Sequence, residues 1–228
     1  MLDPVPKIYD LGDSAMTIEF GDSIDSDVNK TAVAVSRYLA DNPFPGFIES
    51  SPAYASATVF YDPCAVHAAV GKDADIREFV QERLLSASSQ AFGSLSDRNA
   101  LIEVPALFGG ESGPDLQTLS ARFGVSEEEF IGIFTGREYR VFMLGFLPGF
   151  AYMGKVDERI AVPRRDTPRK RVPAGSIGIA DEQTGIYPLD SPGGWQIIGR
   201  TKLQLFDPQA AAPFLFSPGD RVKFVPVL

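Results

Sequence analysis

The sequence predicts an α+β protein in two parts, a small α+β sandwich followed by a mostly β domain. Three observations lead there. Over roughly the first 85 residues strand-like and helix-like apolar patterns alternate, which is how one sheet and its covering helices are encoded. A small, polar stretch, SASSQAFGSLSDRN at residues 86–99, then interrupts the pattern as a linker would. Beyond Tyr139 short apolar runs alternate with Gly and Pro, the texture of strands and tight turns.

Residues 7–20, KIYDLGDSAMTIEF, read as two short strands about a Gly-Asp turn. Residues 27–39 place Val28, Thr31, Ala32, Val35, Tyr38 and Leu39 at helical spacing, with Ser26 or Asp27 as cap and Pro43 as terminator. Residues 47–61 are strand-like, most strongly at Thr58-Val-Phe-Tyr. A second helical region covers about 64–85, breaks at Gly71, and turns Ile76, Phe79, Val80 and Leu84 inward. After the linker a strand restarts at residues 101–104. FGGESGPDL then turns into a helix over Leu116–Phe123, and SEEEFIGIF opens another with Ser126 as cap and acids in its first turn. The expected boundaries are 1–88, a linker at 89–99, and 100–228.

The chain has 228 residues, 44% of them hydrophobic, enough for a substantial core in one large or two small domains. Seventeen Phe against one Trp make that core Phe-rich. The N-terminal stretch lacks the basic start and apolar run of a signal peptide. The longest apolar run, residues 141–153, is too short to span a bilayer and is interrupted by Gly145, Pro148 and Gly149. A single cysteine, Cys64, cannot form an internal disulfide, so a cytoplasmic location is expected. One His and one Cys cannot build a Cys/His zinc site, and no carboxylate cluster offers an alternative metal site. A net charge of −9 without a distributed basic face excludes duplex nucleic acid as the main partner.

Within that acidic chain, Arg164, Arg165, Arg169, Lys170 and Arg171 cluster against the single acid Asp166. Pro163, Pro168 and Pro173 exclude a basic helix and leave a stiff, extended loop. Such a loop either grips a carboxylate or phosphate, is solvated, or pairs with the chain's own acids. The stretch 142–200 as a whole either surrounds a ligand or is a barrel with tight corners. Gln183-Thr184-Gly185, Tyr187-Pro188, the run 191–196 ending in Trp195-Gln196, and Gly199-Arg200-Thr201 add amides, hydroxyls and a cation suited to orienting a small polar ligand. Trp195 is a pocket wall or a core anchor.

Several catalytic patterns fail on their partners. Gly12-Asp13-Ser14 has no histidine after His67 to act as base, and Ala174-Gly175-Ser176-Ile177-Gly178 lacks the strand-elbow-helix context of a nucleophile elbow. Ser176 is read instead as a hydroxyl donor on a glycine turn. FGGESGPDL lacks the Lys-Ser/Thr ending of a phosphate loop and is a turn with a cap, or presents amides to an anion. His67 reads as a partly buried structural histidine and Cys64 as a small core residue.

FGGESGPDL, EYRVFMLGFLPGFAYMG, PRRDTPRKRVPAGSIGI, QTGIYPLDSPGGWQIIGRT and LFDP, in that order, resemble the family of the B component of bacterial ATP-dependent 5-oxoprolinase, also labelled allophanate hydrolase subunit 1. That family also includes a sporulation histidine-kinase inhibitor. The resemblance implies a ferredoxin-like N-terminal domain and a cyclophilin-like β-barrel. It further implies a larger partner, the C component, a third protein, the A component, and use of ATP by the assembled complex, with no cofactor assigned to this chain. The implied substrate is a small cyclic amide, 5-oxoproline, opened to glutamate. The candidate binding residues are Arg164, Arg165, Arg169, Arg171, Ser176, Gln183, Thr184, Tyr187, Gln196 and Arg200. One departure stands out: Phe134 occupies a position where many relatives carry histidine, so if that histidine transfers a proton, this chain either lacks the group or uses Glu138 instead. The alternative role is a non-catalytic regulator that inhibits a sensor histidine kinase. Exposed apolar surface around LGFLPGFAYM is expected if the chain has a permanent partner.

Overall fold

A computed structural model describes residues 6–91 and 100–227. The chain divides into two compact units, Met1–Asp97 and Arg98–Leu228.

In the first unit, β1 (Lys7–Asp10) and β2 (Ala15–Glu19) form a hairpin, and β3 (Phe47–Pro52) and β4 (Ser56–Tyr61) form another. The sheet is antiparallel with order β1-β2-β4-β3. Residues 47–61 are thus two strands, folded back at 53–55 by the Ala53 N–H donating to the Ser56 carbonyl at 2.7 Å. Helix α1 (Ser26–Asp41) is capped by Asp25, one residue before the expected cap, whose carboxylate accepts from the Asp27 and Val28 amides. Its Val35 and Leu39 share a core with Met16, Ile18, Val59 and Leu84. Asn29, fully buried, donates to the Ala53 carbonyl and so ties α1 to the second hairpin.

The second helical region is two helices, α2 (Pro63–Val70) and α3 (Ile76–Ala91), interrupted at Gly71. In α2 only Val66 is buried, so Cys64 and His67 are exposed, contrary to the buried positions expected of them. At about 100° per residue, Cys64 lies about 200° and His67 about 100° around the helix from Val66, so neither shares its inward face. α3 continues through buried Ser88 and Ala91, so the stretch expected as linker from residue 89 starts in helix; its remainder, 92–99, lies outside the described residues. A β-α-β-β-α-β order would close with a strand after α3. Here the sheet's fourth strand is instead β1, the first arm of the N-terminal hairpin.

The second unit is a closed barrel. Its strands are β5 (Leu101–Phe108), β6 (Tyr139–Leu144), β7 (Ala151–Gly154), β9 (Ser176–Ala180), β10 (Gln183–Ile186), β12 (Gln196–Arg200) and β13 (Arg221–Pro226). They follow the order β10-β7-β6-β13-β5-β12-β9, with β9 pairing back to β10. β13 runs parallel to β5, which stitches the end of the unit to its beginning. Closure leaves no open sheet edge and accounts for the Gly and Pro at the corners. The interior is packed. Val104, Val141, Met153, Ile177, Ile179, Ile198 and Phe224 contribute from the strands, and Phe130 and Phe134 from α5 (Glu127–Thr135).

Two features lie outside the barrel wall. β8 (Arg169–Val172) pairs with β11 (Ser191–Gly193) as a separate ribbon, so the Pro-punctuated basic stretch is extended as expected, and its end from Arg169 is strand rather than loop. Helix α4 (Leu116–Phe123) packs on β12. Near the ribbon a smaller apolar cluster joins Phe150, Val172, Ala180, Tyr187, Trp195 and Ile197. Trp195 is a core residue, 5.4 Å from Phe150 edge to face. Among the described residues no helix is long and apolar enough to cross a membrane.

Candidate functional site

The Gly-rich turn at residues 109–115 is where the basic ribbon, α4 and the barrel meet. Its amides are directed at the barrel: Gly109 N–H donates to the Ile198 carbonyl at 3.1 Å and Asp115 N–H to the Ile197 carbonyl at 3.0 Å. Gly113 N–H and Leu116 N–H close the turn on Gly109 and Gly113. These four donors are spent within the turn and on the barrel, as a turn requires, whereas the cap expected of FGGESGPDL is not formed because the Asp115 carboxylate is engaged elsewhere. The approach is close enough that a Cβ on Gly113 would run into the Ile198 carbonyl, which fixes glycine there.

Asp115 is 6% exposed and does not cap its own helix. Its Oδ2 accepts the Ile197 N–H at 2.6 Å. Its Oδ1 accepts Arg165 Nη1 at 3.0 Å and Arg169 Nη2 at 2.6 Å. One buried carboxylate therefore fixes two guanidiniums of the basic cluster to a barrel strand. Each keeps a further buried nitrogen, Arg165 Nε and Arg169 Nη1, with no acceptor among the described residues.

Beside this clamp opens a cavity of about 600 Å³. Arg164, Arg165 and Gln196 line it as sequence reasoning proposed, together with Asp115, Thr118, Arg122 and Thr167, which that reasoning did not single out. Arg164 is exposed, and its charge lowers the pKa of Tyr152 and Tyr187 against the larger upward push of their burial. Gln196 donates its amide to the Pro163 carbonyl at 3.2 Å, which closes the ribbon's start against β12.

The other expected residues lie elsewhere. Arg171 pairs with Asp190 on the exposed surface. Arg200 lines a different cavity, of about 520 Å³, with Lys202, Ser112 and Gln204, and its Nε donates to the Ala174 carbonyl. Ser176 and Thr184 are wall residues of the barrel, and the Thr184 hydroxyl is spent on the Gly178 carbonyl at 2.9 Å. Gln183 begins β10, half-buried, opposite Gly154 and Ala180. Tyr187 is 2% exposed and packed against Gly193 and Phe150. Glu138 is exposed, accepts from Arg221 Nη1 at 2.9 Å, and lines neither cavity. Phe134 is fully buried among Phe108, Tyr139 and Phe224, and the Tyr139 hydroxyl donates to its carbonyl at 2.7 Å. Among the described residues no group of His, Cys, Asp and Glu could hold a metal ion.

The loop of LGFLPGFAYM places Phe146 60% exposed at a positive φ of 66°. It is nonetheless tightly bonded: Leu147 N–H donates to the Gly145 carbonyl, Phe150 N–H to that of Leu147, and Gly145 N–H to that of Phe150. The Phe146 ring stands edge-on to Phe150 and Tyr187.

Comparison with known proteins places these features in context. The model of the carboxyltransferase domain, subdomain C and D, matches residues 6–216. The B component of 5-oxoprolinase from Bacillus subtilis is 45% identical over 96% of this chain and 92% of its own length. The Escherichia coli O157:H7 protein of the same name is 38% identical over 96% of this chain and 95% of its own. Among solved structures, TTHA0988 superposes with a TM-score of 0.79 at 33% identity, covering 94% of this chain; the chain spans only 40% of that protein.

Proposed function

The chain belongs to the family of the carboxyltransferase domain, subdomain C and D, and on that premise we propose that it is one part of an ATP-dependent hydrolase, opening 5-oxoproline to glutamate with a larger C component and a third, A component. The end-to-end match to the B component of 5-oxoprolinase supports the substrate and the partners. One observation carries the role given to this chain: Arg165 and Arg169 are fixed by Asp115 at the edge of a cavity that Arg164 also lines. Opening a lactam requires its carbonyl carbon to be made more electrophilic: transfer of the ATP γ-phosphoryl group to the carbonyl oxygen, releasing ADP, achieves this, after which water adds to the carbon, the ring C–N bond breaks as the nitrogen takes a proton, and inorganic phosphate leaves. Negative charge then accumulates on the reacting group and on the substrate carboxylate, and preorganised guanidiniums stabilise it.

Arg164, Arg165 and Arg169 hold these anionic groups, and Gln196 orients the amide beside them. The exposed, rigidly presented Phe146 supports a partner-facing role for its loop, since aromatic side chains anchor interfaces when held in place beforehand. The reading is tested by assaying glutamate release from 5-oxoproline with ATP for this chain alone, with the C component, and with the C and A components together. Turnover only in the full mixture is expected. Turnover by the C and A components without this chain, or stable assembly of all three without turnover, would overturn it.

A further inference from the structure

We propose that the cavity lined by Arg122, Arg164 and Arg165 is a binding site for a phosphate group, with Arg122 of α4 as a member that the sequence pattern does not mark. The argument begins with charge. Three guanidiniums line the cavity beside two carboxylates, Asp115 and Asp166, and Asp115 is itself neutralised from behind by a fourth guanidinium, Arg169, which does not line the cavity. That is an excess of two positive charges in a chain of net charge −9. A carboxylate carries one negative charge; a phosphate group carries nearly two at neutral pH, so the excess matches a phosphate.

The disposition of the donors points the same way. Asp115 fully occupies one oxygen with Arg165 and Arg169, yet Arg165 Nε and Arg169 Nη1 remain buried without an acceptor among the described residues. Both nitrogens are shielded from solvent and belong to the clamp rather than to the open cavity, so the donors offered to a ligand there are those of Arg122 and Arg164. Arg122 and Arg164 are exposed and form no ion pair among the described residues, and Arg122 leans over the Phe123 ring, 5.9 Å from its centroid. Arg122 and Arg164 therefore reach the cavity from separate elements, the helix and the ribbon, as needed to grip an oxyanion with several oxygens. Thr118 and Thr167 add hydroxyls to the lining. A volume of about 600 Å³ admits a phosphate together with the body of a small molecule.

The phosphate can come free or attached to an activated substrate; only the second source rests on the function proposed above. The full chain is titrated with inorganic phosphate, followed by calorimetry and by the arginine Nε–H resonances. Saturable binding is expected, weakened about tenfold or more by Arg122→Gln and by Arg164→Gln, and far less by Lys170→Gln, which removes a charge outside the cavity. Phosphonoacetate, with a phosphonate and a carboxylate, is the second arm. Tighter binding than phosphate supports a phosphorylated, carboxylate-bearing ligand, and equal binding supports free phosphate. Absence of saturation, equal competition by acetate, or equal losses in the Arg122 and Lys170 variants would overturn the site. Because no turnover is read, phosphate binding by a chain that fails to support 5-oxoproline hydrolysis leaves this site standing and removes only the proposed reaction.

Discussion

Asp115 and Ile197 exchange two hydrogen bonds, the Asp115 amide donating to the Ile197 carbonyl and the Ile197 amide to the Asp115 carboxylate. The pair pins the Gly-rich turn to β12 and leaves the second carboxylate oxygen for Arg165 and Arg169. Removing the carboxylate would strand a buried amide and two partly buried guanidiniums together. Asp115→Ala is expected to destabilise the barrel by about 3 kcal/mol and Asp115→Asn by about 1 kcal/mol, because the amide still accepts from Ile197. Urea unfolding followed through Trp195 fluorescence checks both; a loss under about 0.5 kcal/mol for Asp115→Ala would show that the clamp is not structural.

Phe134 lies in a ring cluster, 5.0 Å from Phe224 and 5.1 Å from Tyr139. Phe134→His should therefore cost about 3 kcal/mol through lost packing and a buried polar ring. Burial lowers a histidine's pKa below its unfolded value, so protons favour the unfolded chain and the deficit grows below about pH 6.5. A deficit that shrinks in acid would contradict the placement.

Asp157 carries the opposite sign. Hydrogen bonds from Arg159, first from its side chain and then from its backbone, hold the carboxyl well below the usual carboxylate range, with Arg137 adding charge. A depressed carboxyl pKa contributes stability that is fully present above the unfolded value and lost as pH falls towards the folded one. Asp157→Asn is expected to lower stability equally at pH 7 and pH 5, with the gap to the parent closing only below about pH 4. A gap that already narrows between pH 7 and 5 would refute this.

Phe146 adopts a backbone conformation that costs a non-glycine residue about 1 kcal/mol, and its edge-on ring contacts return a similar amount. Phe146→Gly is thus expected to leave unfolding within about 1 kcal/mol of the parent while weakening association with the C component about tenfold or more. Unchanged association in a pull-down titration would free the loop from the interface.

Much of this is legible in the residues. The two-part α+β organisation follows from apolar periodicity, and the helix over Leu116–Phe123 ends where Gly124 adopts a left-handed cap. The basic cluster is visible because it stands against the net charge. Its division is not visible: Arg165 and Arg169 turn to a carboxylate about 50 residues upstream, Arg171 turns to Asp190, and of the two cations without an ion pair among the described residues, Arg164 and Lys170, Arg164 lines the cavity. Asp115 sits within the Gly-rich motif, where its placement before a helix marks it as a cap rather than a clamp. Arg122 is an ordinary charge on the last turn of a helix, and only the packing of α4 on β12 brings it beside the ribbon. Proximity in sequence groups Gln183, Thr184 and Tyr187 with the arginines, whereas the barrel sends Thr184 into its wall and Tyr187 into the aromatic cluster.

Among the arginines, Arg164 gives the cleanest test of the site, because replacing Arg165 or Arg169 also strips a partner from buried Asp115. The measurement is kcat/KM for 5-oxoproline in the complex reconstituted with Arg164→Gln, with assembly monitored in the same samples. A fall of about a hundredfold with intact assembly is expected of a guanidinium that stabilises charge in the reaction. An unchanged kcat/KM would contradict the assignment of this cavity to the chemistry.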